Sequence, residues 1–372
     1  MDADVKKTNR VYTWGFGKTG SLGTGKESSE ILPTYIKFKE NIIAVSSGLH
    51  TIMCLTEDGN VYSSGCNKQG RIGLGNTGEV FVPTLIGLNN TKISFISCGK
   101  NHCLAISINK TALGTGYNKH GELGLGDYVD RFVFTPITCL NGIKTVSAGS
   151  ISLFINEDNK IYSCGKGSLN GFAAAKDVNE PHLLPEFENE SIVSMHSGYT
   201  HSACVNSQGQ LYTWGEGFDY QLGNGNKNRQ QVPKQVKIEN KIIQVNCSVG
   251  EKHCHSACID EEGKVFTWGT GYKGKLGHGD IEDVLLPKKI ESLSGIKVIK
   301  CFSGGIHTAV LTDKGKCLTF GCGSDGRLGH KESENYNVLY KEDKPREIDF
   351  FSDKKVLDIS CSYYHMIGLA DS

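Results

Sequence analysis

The chain has 372 residues, 38% of them hydrophobic, and 40 Lys+Arg against 40 Asp+Glu. Zero formal charge excludes the electrostatic footprint expected of a direct nucleic-acid binder or of a protein held on an anionic membrane. No apolar run approaches the ~18 residues of a membrane helix, and the opening MDADVKKTNR lacks the apolar core of a secretion signal.

Taken in chain order, residues 1–10 read as a short tail and 11–370 as a single repeat-built domain. Val11–Trp14 is a strand that runs into a glycine loop, and a weak strand follows at about Tyr35–Phe38. From there one pattern recurs. An apolar strand comes first: Ile42–Ser46, Ile93–Ser97, Ile143–Ser147, Ile192–His196, Ile242–Asn246, Ile296–Lys300 and Val356–Ser360. A tight Gly/Ser turn leads to a second strand that opens on a histidine: His50, His102, His201, His255, His307 or His365, with Ser152 in the third copy. Hairpin turns such as Asp58-Gly59 and Glu262-Gly263 lead to a third strand. That strand ends at an anchor glycine: Gly15, Gly65, Gly116, Gly165, Gly215, Gly269 or Gly321. The glycine loop then reaches a proline and a weak fourth strand. The prolines are Pro33, Pro83, Pro136, Pro185, Pro233, Pro287 and Pro345, suited to an outer edge that needs fewer ladder donors.

Four-stranded units repeated radially make a β-propeller. The chain is therefore expected to be all-β, a seven-bladed propeller. The first strands of the chain carry the third and fourth elements of the pattern, and the last carry the first and second. Paired, they complete one blade and close the ring, which removes aggregation-prone edges.

The string Tyr12-Thr13-Trp14-Gly15 with its following Gly17, Gly20 and Leu22-Gly23, together with turns such as Gly99-Lys100-Asn101-His102 and Gly198-Tyr199-Thr200-His201, resembles the regulator of chromosome condensation repeat family. The resemblance spans roughly residues 11 to 370. It implies the propeller fold but leaves function open, because the family includes the Ran guanine-nucleotide exchange factor, a plant ultraviolet photoreceptor, ubiquitin-ligase propellers, ciliary proteins and scaffolds.

In that exchange factor, the residues between the turn glycine and the histidine line one face, and acidic and histidine side chains there touch the GTPase. Here those positions hold Leu49, Lys100 and Asn101, Ser150 and Ile151, Tyr199 and Thr200, Glu251 and Lys252, Gly305 and Ile306, and Tyr363 and Tyr364. One is acidic and none is a histidine. The exchange factor's wedge hairpin sits in its third glycine loop, which is ordinary here. The degenerate loop is the fourth, Lys166–Glu180, where Asn170-Gly171-Phe172 could form a hairpin. The photoreceptor needs a tryptophan cluster at its dimer face. Trp14, Trp214 and Trp268 instead share one strand position and are expected to pack blades.

Catalysis finds no support. Gly17-Lys18-Thr19 lacks the earlier glycine of a phosphate-binding loop, with Tyr12 in its place. The recurring histidines are spread one per blade and are expected to bond loop backbone. His253, Cys254, His255 and Cys258 include no C-x-x-C pair, and repeat position accounts for two of the four, so no metal or cofactor is expected. Fourteen cysteines in a chain this long do not read as a secreted disulfide framework. They suit a reducing compartment, cytoplasmic or nuclear, with a ciliary association open.

Function is thus expected where the copies disagree, since loops on a rigid frame carry binding. Three places stand out: Lys166–Glu180; Ser248–Cys254, about two residues longer than its equivalents; and His330–Pro345, with Tyr336 and Tyr340. The candidate contact residues are Lys100, Asn101, Tyr199, Thr200, Glu251, Lys252, Tyr363 and Tyr364 on the turns, plus Asn170, Phe172, Tyr336 and Tyr340 on the loops. The expected function is that of a non-catalytic interaction propeller, monomeric by itself, binding a partner protein. The alternative is an exchange factor for a Ran-like small GTPase.

Overall fold

The computed structural model describes residues 8–332 and 340–371. They form seven four-stranded antiparallel sheets arranged as the blades of a propeller. Blade 1 holds β3 (Ile42–Ser47), β4 (Thr51–Thr56), β5 (Val61–Gly65) and β6 (Val80–Leu85). Blades 2 to 6 repeat this order from β7 (Ile93–Cys98) to β26 (Lys341–Glu347). Blade 7 is built from both ends of the chain, in the order β2 (Glu30–Ile36), β1 (Arg10–Gly15), β28 (His365–Ala370), β27 (Val356–Cys361). The β1–β28 ladder runs without a break from Arg10↔Ala370 to Gly15↔His365.

The core is divided into seven apolar clusters, one between each pair of neighbouring blades. Trp14, Trp214 and Trp268 are fully buried in three of them. Each indole N–H donates to a carbonyl in the preceding blade's glycine loop: Arg327, Leu169 and Gln221. A polar group buried in such a cluster must find a partner, and this geometry supplies it. The close approach needs glycine. A Cβ on Gly223, whose φ is +68°, would lie 2.7 Å from the Trp268 indole nitrogen.

Around the central channel a second set of bonds ties the inner strands together. The Oγ of Ser360, Ser46, Ser97 and Ser147, then His196 Nδ1 and Asn246 Oδ1, accept backbone N–H groups from Ser47, Cys98, Ala148, Ser197, Cys247 and Ser303 of the next blade. At the step from blade 6 to blade 7 the equivalent residue is Phe302, which cannot accept. A Lys300–Asp358 ion pair at 2.6 Å spans that junction instead.

Several details depart from the sequence expectations. The residue opposite the anchor glycine is a histidine in five blades, but Thr51 in blade 1 and Ile151 in blade 3. His50 and Ser152 are therefore each displaced by one residue from the expected place. The histidines bond mostly to hydroxyls of the next blade rather than to backbone. His102, His201 and His255 pair through Nε2 with Ser152, Ser256 and Thr308. Only His365 reaches a carbonyl, that of Thr51. In blade 7 the residue at the Ser/Thr position is Met366, which offers no hydroxyl, and both ring nitrogens of His307 lack a hydrogen-bond partner among the described residues. The outer-strand proline of blade 3 is Pro181, within β14 (Val178–Leu183), whereas Pro185 opens a 3-10 turn. Phe134 takes the proline position in blade 2, and Pro136 ends that strand.

Candidate functional site

In each blade the turn between the first two strands and the glycine loop after the third lie on the same face, because the strands alternate in direction. The turns interlock: Leu49, Lys100, Ser150 and Tyr199 each donate a backbone N–H to the carbonyl opening the next turn. Their side chains cover one mouth of the channel.

Two turns break the common length. In most blades the residue opening the turn donates to the carbonyl three positions on, as from Gly99 to His102. In blade 3 the bond runs from Gly149 to Ile151, one residue shorter. In blade 5 it runs from Ser248 to His255, so the insertion is four residues rather than the expected two. Blade 3 is short in its glycine loop as well. Anchor glycines such as Gly65 and Gly116 pair with residues fifteen positions on, Val80 and Arg131, but Gly165 pairs with Val178, thirteen on. That loop forms a compact turn with no hairpin, correcting the expectation for Asn170-Gly171-Phe172.

These changes shape the face. The blade 5 insertion carries Glu251 across the channel mouth to pair with Lys100 of blade 2. Tyr199, 3% exposed, lies beside this bridge, and its buried hydroxyl has no partner among the described residues. Burial pushes its pKa well above the phenol range. The bridge divides the mouth into two hollows. The larger, about 340 Å³, lies over the shortened blade 3 and is lined by Tyr117, His120, Glu122, Lys166, Phe218 and Tyr199, with Lys100 and Glu251 at one side. The smaller, about 210 Å³, is lined by Leu49, His50, Lys252, Tyr363 and Tyr364.

The smaller hollow is aromatic. His50 stacks on Tyr364 with centroids 5.4 Å apart, Tyr363 packs on Tyr364 at 4.2 Å, and the Arg327 guanidinium lies 5.4 Å from the Tyr364 ring. Burial, helped by Arg71 and Lys68, lowers the His50 pKa to about 4, so the ring is neutral at pH 7. The expectation of no histidine on this face is therefore corrected. One residue of register, with Thr51 taking the strand position, moves His50 onto the turn. Ile151, by contrast, leaves the face for the strand and is buried.

Of the twelve candidates, Lys100, Asn101, Glu251, Lys252, Tyr363 and Tyr364 come together at the mouth with at least part of each side chain exposed. Thr200 is there too but is buried, with its hydroxyl on Cys254 Sγ at 3.3 Å. The loop candidates fare differently. Asn170 is fully buried and braces its loop through the carbonyls of Gly165 and Lys176. Phe172 packs against the cluster between blades 3 and 4. Tyr340 is 9% exposed and bonds Glu342 and Arg346. Burial and the bond to Glu342 raise its pKa. Tyr336 lies outside the described residues. His253 stacks on Tyr272, and no cluster of three metal-ligating side chains occurs among the described residues. All fourteen cysteines carry free thiols, and only Cys139 is exposed. No helix among the described residues is long and apolar enough to cross a membrane.

A closed ring of seven four-stranded antiparallel blades defines a β-propeller. The chain belongs to the regulator of chromosome condensation repeat family: residues 3–254 match the RCC1-like domain, and residues 262–311 and 314–369 match the RCC1 repeat. Among curated relatives, it is 33% identical over 271 residues to the E3 ubiquitin-protein ligase HERC2 of Homo sapiens, covering 70% of this chain but 5% of that one. It is 29% identical over 367 residues to the ultraviolet-B receptor UVR8 of Arabidopsis thaliana, covering 97% of this chain and 70% of the receptor. Two solved structures share the fold. Human WBSCR16 superposes with a TM-score of 0.86 at 23% identity, covering 98% of this chain and 99% of that one. Prp20p from Saccharomyces cerevisiae superposes at 0.83 and 17%, covering 98% and 92%.

Proposed function

We propose that this propeller is a non-catalytic interaction module that binds a partner protein through its turn face. The observation carrying this reading is the channel mouth itself. It gathers six exposed or half-exposed candidates around two hollows, while the histidines, tryptophans and glycines of the repeat are spent on the frame. Aromatic residues that keep one face in solvent, as Tyr363 and Tyr364 do, favour protein interfaces.

The test is affinity capture with wild-type protein and with Tyr363→Ala/Lys252→Glu, alongside a control altered on the exposed outer strand, Val82→Ser. Partners held by wild type and control but lost by the turn-face variant support the reading. An identical partner set for all three overturns it.

A second reading, exchange on a Ran-like small GTPase, gains one observation from the fold. The face carries a histidine after all, His50, beside the acidic Glu251. Release of labelled nucleotide from a panel of small GTPases decides it. Catalytic stimulation that His50→Ala removes supports exchange, and absence of stimulation by folded protein ends it.

A further inference from the structure

The larger hollow contains a carboxylate with no lysine or arginine partner among the described residues; the favourable charge beside it, His120, is itself paired with Asp177. Glu122 lines it and is 4% exposed. Its neighbours are each matched: Glu251 with Lys100, Asp177 with His120 at 2.8 Å, and Glu216 with Arg229 at 3.9 Å. The Glu122 carboxylate accepts the backbone N–H of His120 at 2.9 Å. A buried carboxylate without a cation is costly, and here burial raises its pKa.

Other blades place the opposite sign at this position. Glu122 stands six residues after its anchor glycine. At the same position in blades 1 and 6 the chain places Arg71 and Arg327. Each lays its guanidinium against the following blade's turn, donating to the carbonyls of Lys100 at 3.0 Å and Tyr363 at 3.2 Å. In blade 2 the sign is reversed. The turn that follows is the shortened one of blade 3, and the space above it is the 340 Å³ hollow, near the lower end of sizes that enclose a ligand group. Tyr117, Phe218 and Tyr199 add aromatic rings to its lining, and Lys166 stands on the rim in solvent.

We infer that this hollow is a docking pocket for an arginine side chain of a partner protein, with Glu122 as the counter-charge and the aromatic walls bracketing the guanidinium. The inference rests on the turn face being the binding face. An arginine is favoured over a lysine because a planar guanidinium satisfies a carboxylate through two parallel N–H bonds and stacks on rings.

The probe is a seven-residue peptide, Gly-Ser-Gly-Arg-Gly-Ser-Gly, with its citrulline and lysine counterparts, titrated by NMR against the full chain. The arginine peptide should bind about tenfold or more tightly than the citrulline peptide. Glu122→Gln should erase that preference. Glutamine already occupies the equivalent position at Gln221, so this variant keeps the fold, and an unchanged melting temperature checks it. Equal binding of arginine and citrulline peptides, no binding of either, or a preference that survives Glu122→Gln overturns the pocket. The turn-face reading is tested apart. If captured partners depend on Tyr363 and Lys252 but not on Glu122, the pocket falls and the face stands; if they depend on none of these residues, both fall.

Discussion

Acidification should unfold this protein well before its carboxylates are fully protonated, and the cause is the ring of histidines. His102, His201, His255, His307 and His365 are each at most 1% exposed. Burial lowers all five pKa values from 6.5, to about 3 for His102, His201 and His365 and well below the ordinary value for His255 and His307. In the unfolded chain the same imidazoles titrate near 6.5. Between the two limits the unfolded state binds more protons, so stability is complete above pH 6.5 and is lost as the pH falls toward the folded values. At pH 5.5 the folded rings, held well below their ordinary value by burial, are neutral, so the loss depends on the unfolded value alone. It is about 1.4 kcal/mol for each ring, or roughly 7 kcal/mol for the five, and reaches roughly 10 kcal/mol at pH 5. Typical stabilities are about 5–15 kcal/mol, so cooperative unfolding is expected between about pH 4.5 and 6. The assay is the urea midpoint followed by the fluorescence of the three buried tryptophans, from pH 7.5 downward. The slope near pH 5.5 should correspond to uptake of about four to five protons on unfolding from these rings, with His50, His196 and His330, each lowered to about 4, adding up to about three more. His201→Gln should lower that number by about one. An uptake of one proton or fewer would refute the argument, because the folded rings would then already be charged.

Other consequences are simpler. Trp214→Phe removes the bond to the buried Leu169 carbonyl, at about 1–3 kcal/mol, and part of a buried ring, so a loss of about 2–4 kcal/mol is expected in the urea midpoint. Glu251→Gln breaks the bridge to Lys100, but both side chains are partly exposed, 61% and 27%, so stability should change by less than about 1 kcal/mol while partner capture falls. Deleting residues 355–372 removes β27 and β28 and leaves β1 and a neighbouring blade without their partners. Aggregation or unfolding is expected, and a monomer with an unchanged melting temperature would contradict the shared blade.

The architecture was legible because each blade states it again. Strands, hairpin glycines and the split seventh blade recur at intervals too regular to misread. The errors lie where a single residue is inserted or lost. His50 looked like the strand histidine because its neighbours are generic, and only the ladder, which sets Thr51 opposite Gly65, shows it on the turn. In blade 3, Ser152 looked equivalent to the histidines because the missing turn residue leaves no mark in composition. Its role as the acceptor for His102 belongs to the neighbouring blade's geometry. The loop candidates failed for a related reason: Asn170 and Tyr340 depart from the repeat in order to repair it, bonding the backbone and charges that the altered loops expose. The sequence signal for Glu122 lies in the sixth residue after each anchor glycine, where Arg71, Gln221, Lys275 and Arg327 stand in other blades and Glu122 alone is acidic.

The pairing of Arg10 with Ala370 has a practical meaning. The two strands run antiparallel, and their far ends lie side by side at the rim opposite the turn face. A short linker could join these points and a new start could be cut in an exposed hairpin between blades, giving a circularly permuted protein with the same ring. Anything tethered at either point would hang from the back of the disc, leaving the face with Glu251 and Tyr363 open to solution.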